Sequence, residues 1–236
     1  MHRRPLTLLP GLACDAGLFD PLRPALEPHF ELHVSDVHTR ADTLEAMADA
    51  LVAELPAGPQ WLVGCSMGGM VALHAALRAP GRVAGLALLG TSARADTPEL
   101  VTLRTQACEL FAAGRADEVL RANVLFAFHP RHAADAAMAE GYLQLIGRAG
   151  PAQLIRQNRA VMARPDLRPR LPAIACPTLV AVGEADQLTT PEHAAEIAAG
   201  IPGARLVSIA GAGHMLTLEE PAAVAQVLLD WLQSLP

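Results

Sequence analysis

The sequence predicts an open α/β fold, in which a mostly parallel sheet is flanked by helices. Two observations support this prediction: six short apolar runs recur along the chain, and segments with helical spacing of apolar residues lie between them. Runs that are apolar throughout, rather than alternating with polar residues, are typical of strands buried on both faces of a parallel sheet. The alternation of strands and helices requires crossover connections, which are right-handed in almost all such folds.

The predicted strands follow one another along the chain. They are PLTLL (5–9), FELHVSD (30–36), QWLVGCS (60–66), VAGLALLGT (83–91), PTLVAVG (177–183) and ARLVSIAG (204–211). The segment Asp42–Glu45 fits a capping box, so we expect a helix to begin there with an apolar face. That face comprises Leu44, Met47, Leu51 and Leu55. A last stripe of apolar residues at helical spacing follows Pro221, and we interpret it as core packing.

The alternation of strands and helices is interrupted between about residues 97 and 166. Thr97 followed by Pro98 is typical of a helix N-cap with proline at the first helical position. The residues that follow are mostly helix formers, and no strand is predicted before PTLVAVG. We therefore predict a core formed by residues 1–96 and 167–236, with a helical cap inserted at 97–166.

Composition limits the class of protein. The chain has 236 residues, is 52% hydrophobic and carries a formal net charge of −6, which suits one soluble domain with an insertion. All 18 basic residues are arginine, which excludes Schiff-base catalysis by lysine. The arginines are interspersed with acidic residues, so no nucleic-acid partner is expected, and no apolar stretch is long enough to predict a membrane span. Four isolated cysteines favour free thiols in a reducing compartment, which predicts a cytoplasmic protein.

The segment Gly64–Gly68, GCSMG, has the G-x-S-x-G pattern of a nucleophile elbow. It lies between a predicted strand and a predicted helix, which is the context that this motif requires. Glycines are needed on both sides because the turn brings other backbone close to them. Ser66 is thereby placed above the sheet, near helix amides that favour developing negative charge. Ser66 is the predicted nucleophile.

Two further residues complete a candidate Ser-His-Asp triad. Asp186 follows the strand PTLVAVG and His214 follows the last strand, so both lie at carboxyl ends of strands, where open α/β sheets build their sites. His214 would act as the base, and Asp186 would orient it. The chain order Ser, Asp, His is that of α/β-hydrolases. Glu184 is an alternative acid two positions before Asp186.

The first strand leads into a loop that can be interpreted in two ways. The stretch RRPLTLLPGLAC (3–14) could be an export signal that ends at a lipid-acceptor cysteine, Cys14. Such a motif would place an apolar residue three positions earlier, where Gly11 stands, and the apolar run is short and interrupted. The alternative is an oxyanion loop, in which the Leu12 amide joins the Met67 amide as donor. We favour the oxyanion loop.

The chain resembles the α/β-hydrolase superfamily over essentially its whole length, through the stretches GCSMGG, VGEADQLTTP and GAGHMLTLEEP. Within it, the chain is similar to small serine esterases with a helical cap, such as the pimeloyl-carrier-protein methyl esterases. The resemblance implies the α/β-hydrolase fold and the roles given above for Ser66, Asp186 and His214. Two features depart from the family. Pro10-Gly11 replaces the usual His-Gly, whose histidine supports the oxyanion loop, and the two strands that usually precede PLTLL are missing, so we expect about six strands.

The expected activity is hydrolysis of carboxylic esters of small or medium acyl size, with a small-molecule ester as substrate and no metal or organic cofactor. Other acyl-bond hydrolases, namely a thioesterase, a C–C hydrolase or an aminopeptidase, are alternatives within the fold. A very slow or non-catalytic ligand receptor is the alternative from another class.

The predicted cap contains eight arginines and several aromatic residues. The arginines are either solvated helix-face residues or, for one or two of them, a site for a substrate carboxylate or for the phosphate of an acyl-carrier protein. They are Arg104, Arg115, Arg121, Arg131, Arg148, Arg156, Arg159 and Arg164. Four further residues should pack within the cap, with one or two lining an acyl pocket: Phe111, Phe126, Phe128 and Met138.

Overall fold

The computed structural model of the chain describes residues 3–235, so the outermost ends of the predicted core (residues 1, 2 and 236) lie outside the described residues. A six-stranded sheet forms its centre, with the strand order β2-β1-β3-β4-β5-β6, and every neighbouring pair is parallel. The strands are β1 (Arg4–Leu9), β2 (Phe30–Val34), β3 (Gln60–Cys65), β4 (Val83–Leu89), β5 (Thr178–Gly183) and β6 (Arg205–Ile209). The predicted α/β fold and its six strands are confirmed.

Burial differs between the central and the edge strands. In β5 all six residues are buried, which matches the apolar run from which this strand was predicted. The edge strands β2 and β6 each bury only one residue, because one side of each has no neighbouring strand. Their sequences contain Glu31, His33 and Arg205, polar side chains that suit the exposed positions of an edge strand.

Helices cover both faces of the sheet. On one face lie α2 (Leu44–Glu54), α3 (Met67–Arg78) and α9 (Pro191–Gly200), which contribute Met47, Leu73 and Ile197 to a common apolar cluster. On the other face lie α1 (Arg23–Leu26) and α11 (Pro221–Gln233), and Leu228 and Trp231 of α11 belong to a second cluster. The predicted apolar stripe of the last helix is therefore core packing.

The N-terminus of α2 differs by one residue from the prediction. Thr43, not Asp42, is the N-cap, and its hydroxyl accepts a hydrogen bond from the Ala46 amide at 3.1 Å. Glu45 is consequently the second helical residue, one position short of the place from which a capping-box glutamate reaches back. A threonine and an aspartate in succession both favour the cap position, so the sequence pattern did not distinguish between them.

Five helices connect β4 to β5: α4 (Pro98–Ala112), α5 (Ala116–Ala127), α6 (Pro130–Ala133), α7 (Ala136–Gly147) and α8 (Gly150–Met162). We refer to residues 98–162 as the helical segment. Its first helix begins as predicted, since Thr97 is the N-cap and accepts from the Leu100 amide. The helical segment lies against the second cluster, to which it contributes Phe128, Tyr142 and Ile146.

Several short helices lie between the elements described above. A 3₁₀ helix, Ala16–Leu22, follows the loop after β1, and α10 (Leu216–Glu219) precedes α11. Further 3₁₀ turns span Val37–Thr39, Pro80–Arg82 and Arg168–Ala173. No helix in the part of the chain described here has both the length and the apolar character needed to cross a membrane.

Candidate active site

Ser66 lies at the sharp turn between β3 and α3. Its backbone is left-handed, with φ +50° and ψ −117°, a conformation that costs about 1–3 kcal/mol for a residue with a side chain. An added Cβ at Gly64 would lie 2.5 Å from the Gly68 carbonyl oxygen, and one at Gly68 would lie 2.1 Å from the carbonyl oxygen of Leu9. Both glycines of the motif are therefore required by close backbone approach, as the sequence predicted.

The three predicted polar residues form one continuous hydrogen-bonded chain. The Ser66 hydroxyl lies 3.0 Å from His214 Nε2, and His214 Nδ1 donates to Asp186 Oδ2 at 2.9 Å. Because a carboxylate can only accept, the Nδ1 proton faces Asp186 and Nε2 is free to accept from Ser66. The loops after β3, β5 and β6 supply the three residues, all at the carboxyl edge of the sheet.

Burial and pairing set the charge states of Asp186 and His214. The side chains of Asp186 and His214 are 0% and 8% exposed. Burial by itself raises the pKa of Asp186, but attraction to His214 and several hydrogen bonds outweigh it, so that this pKa lies below its ordinary value. Burial likewise lowers the pKa of His214, while Asp186 more than compensates and leaves that pKa above its ordinary value. The arrangement therefore favours an imidazolium that is stabilised by a carboxylate.

Thr189 also holds Asp186, although the sequence did not single it out. Its amide and that of Leu188 donate to Asp186 Oδ1, each at 2.9 Å, and its hydroxyl donates to Oδ2 at 2.9 Å. The alternative acid, Glu184, accepts instead from the Gly211 amide and is half exposed. The structure thus places Asp186 and not Glu184 on the histidine.

The loop that carries His214 is attached to the helical segment. The amides of His214 and Met215 both donate to the carbonyl oxygen of Ala127, at 2.9 and 3.1 Å. The buried carboxylate of Glu219 accepts from the Gly213 amide at 2.9 Å and from the His129 amide at 2.7 Å. The contacts with Ala127 and His129 join residues far apart in sequence, and no local pattern predicts them.

The loop after β1 lies beside Ser66. An added Cβ at Gly11 would be 3.2 Å from the Ser66 Cβ, so a larger residue would press on the candidate nucleophile. Leu12 and Met67, the two predicted oxyanion residues, both line the cavity that Ser66 and His214 face. Within residues 3–235, neither of their amides donates to a protein acceptor.

This cavity has a volume of about 290 Å³ and lies between the sheet edge and the helical segment. Its apolar wall combines core residues with residues of the helical segment: Leu12, Leu18, Met70, Leu120, Tyr142 and Ile146. None of the four candidates Phe111, Phe126, Phe128 and Met138 lines it. Phe126 is also half exposed rather than packed within the segment. The prediction that one or two of these four residues line the acyl pocket is therefore corrected, because only the three-dimensional path of the helices decides which faces point inwards.

Two thiols belong to the same cavity wall, Cys14 and Cys65. Burial is the main reason that the pKa of Cys14 rises to about 12, and burial also raises the pKa of Cys65 well above its ordinary value. Neither thiol is ionised at neutral pH, so neither competes with Ser66 as nucleophile.

The eight arginines singled out in the sequence fall into three groups. Four pair with carboxylates at the surface: Arg115 with Glu118, Arg121 with Asp117, Arg131 with Glu220, and Arg148 with Asp15. Arg156 and Arg159 lie in a separate shallow depression beside Asp42 and do not line the cavity. Arg104 and Arg164 do line it.

Asp96 anchors both cavity arginines. Its carboxylate lies 2.9 Å from Arg104 Nε and 2.7 Å from an Arg164 guanidinium nitrogen, and its side chain is 1% exposed. Arg104 belongs to α4, whereas Arg164 follows α8. Sequence analysis missed this cluster, since Asp96 precedes the helical segment and its partners lie 8 and 68 residues away.

The described part of the chain contains no cluster of three or more His, Cys, Asp or Glu side chains arranged to bind a metal ion.

Comparisons with known proteins agree on one family. The family model for the alpha/beta hydrolase fold matches residues 4–221. A pimeloyl-[acyl-carrier protein] methyl ester esterase of Xanthomonas oryzae pv. oryzae is 31% identical to the chain, and the match covers 100% of this chain and 97% of the relative.

Solved structures give the same result. A thermophilic esterase from Thermogutta terrifontis, in a malate-bound structure, superposes with a TM-score of 0.89 at 30% identity, over 99% of this chain and 90% of the esterase. The enol-lactonase from Burkholderia xenovorans superposes with a TM-score of 0.86 at 25% identity, over 98% of this chain and 92% of the lactonase.

Proposed function

The chain belongs to the α/β-hydrolase family, and we propose that it is a serine esterase that cleaves carboxylic esters of small or medium acyl size through an acyl-enzyme on Ser66. The observation that carries the proposal is the continuous hydrogen-bonded chain from Ser66 through His214 to Asp186. The named relatives are an esterase of methyl esters and a thermophilic esterase, and both agree with this reaction class.

The chemistry follows from the geometry. Ser66 Oγ attacks the ester carbonyl carbon while His214 Nε2 accepts its proton, and Asp186 stabilises the resulting imidazolium. The tetrahedral intermediate collapses as His214 returns the proton to the leaving alcohol. A water molecule, deprotonated in turn by His214, then attacks the acyl-enzyme. The bond between the acyl carbon and Ser66 Oγ breaks, Ser66 Oγ takes the proton back from His214, and the acid is released.

The carbonyl oxygen gains negative charge in both steps. The Leu12 and Met67 amides are the proposed donors to it, and neither is occupied by another acceptor in the described chain. Met67 is the first residue of α3, so the helix dipole adds to the attraction.

The cavity indicates which esters fit. Its apolar wall suits an alkyl acyl chain, and Arg104, 30% exposed in the same cavity, provides one cationic group. We propose that the helical segment, within the predicted boundaries 97–166, acts as a cap over this pocket, with the core formed by residues 1–96 and 167–236.

For the identity of the ester we propose a methyl ester carried on acyl-carrier protein, which is the substrate class in the name of the Xanthomonas relative. The surface depression beside the helical segment supports this, because Arg159 is exposed there and has no acidic partner among residues 3–235. Arg156 donates one hydrogen bond to the Thr39 carbonyl oxygen and reaches its nearest carboxylate, Asp42, only at 3.8 Å. Two such guanidinium groups suit the phosphate that a carrier protein presents.

The carrier proposal is tested with one methyl ester supplied free and carrier-linked. Reversal of the exposed charge, Arg159→Glu, should raise KM for the carrier-linked ester and leave the free ester unchanged; Arg156 is kept, because it also donates to the Thr39 carbonyl oxygen. Arg121→Glu, on α5, is the control. Equal KM values for the carrier-linked ester in wild type and the first variant would exclude docking at this depression.

The reaction itself is tested with p-nitrophenyl esters from acetate to decanoate. We expect turnover by the wild type and by Ser208→Ala, a matched change on the edge strand β6. Ser66→Ala should lower kcat by about 10⁴- to 10⁶-fold. The acyl-chain length that gives the highest kcat/KM then indicates how long an acyl chain the pocket accepts.

Two outcomes contradict the esterase proposal. Labelling of Ser66 by a fluorophosphonate without turnover of any ester would indicate a competent nucleophile with another acyl substrate. Neither labelling nor turnover, together with tight binding of a small ligand, would favour the receptor alternative.

A further inference from the structure

The loop after β1 adopts a backbone conformation that needs support. The Cys14 amide donates to the Gly11 carbonyl oxygen at 3.1 Å, which closes a tight turn over Leu12 and Ala13. Ala13 has a φ of +64°, a left-handed value that residues with a Cβ rarely adopt. Such a conformation persists only where the surroundings hold it in place.

One side chain of the helical segment provides that support. Gln157 lies on α8, and its side chain is fully buried, with 0% exposed. Its Oε1 accepts from the Ala13 amide at 2.8 Å, and its Nε2 donates to the His38 carbonyl oxygen at 3.0 Å. The oxygen and the nitrogen of the side-chain amide therefore each form a hydrogen bond, and both hydrogen bonds connect the helical segment to the core.

His38 completes the arrangement from the other side. Its Nε2 lies 2.8 Å from the Cys14 carbonyl oxygen, which can only accept, so the ring carries its proton on Nε2. His38 is buried, and burial lowers its pKa, which favours this neutral form. The links Ala13–Gln157, Gln157–His38 and His38–Cys14 thus form a closed polar ring around the loop.

We propose that Gln157 is a positioning residue for ester hydrolysis, which holds the oxyanion loop and makes its geometry depend on the docking of α8. This proposal rests on the proposed function, in which the Leu12 amide binds the developing oxyanion. Pro10, two positions before Leu12, offers the loop neither a backbone N–H nor a hydrogen-bonding side chain. Gln157 and His38 supply polar support for the loop from other parts of the chain.

The physical reason is the restricted freedom of the turn. The Leu12 and Ala13 peptide planes are joined through the φ and ψ of Leu12, and both lie within the turn that the Cys14–Gly11 hydrogen bond closes, so a shift of the Ala13 amide is transmitted to the Leu12 amide. Oxyanion donors act only when they point at the place that the charged oxygen will occupy. Loss of the Gln157 contact therefore weakens binding of the transition state much more than binding of the substrate.

The test compares Gln157→Met, which removes both hydrogen bonds, with Gln60→Met as the matched control. Gln60 is a buried glutamine at the start of β3, so it lies at the amino ends of the strands, whereas Ser66 lies at their carboxyl ends. The readouts are kcat and KM for the best p-nitrophenyl ester, and Ki for the trifluoromethyl ketone with the same acyl chain. That ketone forms an adduct on Ser66 whose oxygen occupies the oxyanion site.

We expect Gln157→Met to lower kcat by about 10- to 100-fold, less than the loss of a whole oxyanion donor, while KM changes by less than about threefold. Ki for the ketone should rise by the same factor as kcat/KM falls. Gln157→Glu, which keeps an oxygen acceptor for the Ala13 amide, should retain more kcat than Gln157→Met. Gln157→Asn, whose amide is too short to reach Ala13, should resemble the Met variant and replaces it if that variant does not fold.

The proposal is overturned if the Met or Asn variant is folded and has kcat within about twofold of Gln60→Met. It is equally overturned if kcat falls while Ki for the ketone is unchanged, since the loss would then not involve the oxyanion site. Ser66→Ala and wild type are assayed in parallel. If wild type turns over and Ser66→Ala does not, failure of the Gln157 prediction leaves the esterase proposal intact.

Discussion

At the scale of single residues, backbone strain marks the candidate site. Among residues 3–235, only Ala13 and Ser66 combine a side chain with a positive φ. Both line the cavity, and each is adjacent in sequence to one of the two proposed oxyanion donors, Leu12 and Met67. Strained conformations persist where neighbours hold them, and here those neighbours are Gln157 for Ala13 and the close-packed glycines for Ser66.

Substitution of the acid tests the hydrogen-bonded chain directly. Asp186→Asn keeps the shape of the side chain but offers an amide to His214 Nδ1, which favours the wrong tautomer. We expect kcat to fall by about 10⁴-fold, as for other triads of this type. Glu184→Gln, on the alternative acid, should change kcat by less than about threefold. The steady-state kinetics of both variants measure this, and the reverse order of effects would assign the acid to Glu184.

The pH dependence of the reaction follows from the charge state of His214. In the proposed mechanism the base is the neutral imidazole of His214, so activity should be lost as pH falls through the pKa of His214. Because Asp186 raises that pKa above the ordinary 6.5, the acid limb of kcat/KM should have its midpoint above 6.5. In Asp186→Asn the midpoint should move down, since the main interaction that opposes the effect of burial on the His214 pKa is removed. A wild-type midpoint below 6 would contradict the assignment, provided that chemistry limits the rate.

At the scale of elements, the sequence predicted what local patterns determine. Six apolar runs became six strands, and the G-x-S-x-G pattern became the turn at Ser66, because strand burial and a tight turn act on neighbouring residues. The path of the five helices between β4 and β5 could not be predicted in this way. It depends on contacts such as Gln157–Ala13 and Asp96–Arg164, which join residues 144 and 68 positions apart.

The ion pair between Asp96 and Arg164 shows how a contact between residues far apart in sequence stabilises the fold. Burial lowers the pKa of Arg164, whose side chain is 7% exposed, and Asp96 opposes that effect. Asp96→Asn would leave the buried guanidinium without its counter-charge, so we expect a loss of about 3–5 kcal/mol of unfolding free energy. Asp117→Asn is the control, because Asp117 is 75% exposed and pairs with Arg121 on the same helix, a contact that water screens and that contributes little to stability. Urea denaturation of the wild type and the two variants measures the free energy of unfolding of each. Equal losses in the two variants would contradict the prediction that the buried pair contributes more than the exposed one.

At the scale of the whole molecule, the sheet and the helical segment are held in different ways. Ten of the twelve residues of α3 are buried in the core, whereas α4 buries only Cys108 and Phe111 of its 15 residues. The helical segment packs on the core through buried residues such as Phe128 and Tyr142, and polar contacts of Ala127 and Gln157 add to this packing. Elements with little buried apolar surface open at lower free energy than the core.

We therefore expect activity to be lost at lower urea concentration than the core unfolds. Tryptophan fluorescence reports on the core alone, because the helical segment contains no tryptophan. The two tryptophans of the chain, Trp61 on β3 and Trp231 on α11, pack edge to face with their ring centroids 5.9 Å apart. The experiment follows esterase activity and tryptophan fluorescence across one urea series, with recovery after dilution as the control for reversibility. An activity midpoint below the fluorescence midpoint would show that the helical segment undocks first. Coincident midpoints would instead mean that segment and core unfold as one unit, in which case docking of α8 could not control the oxyanion loop independently of folding.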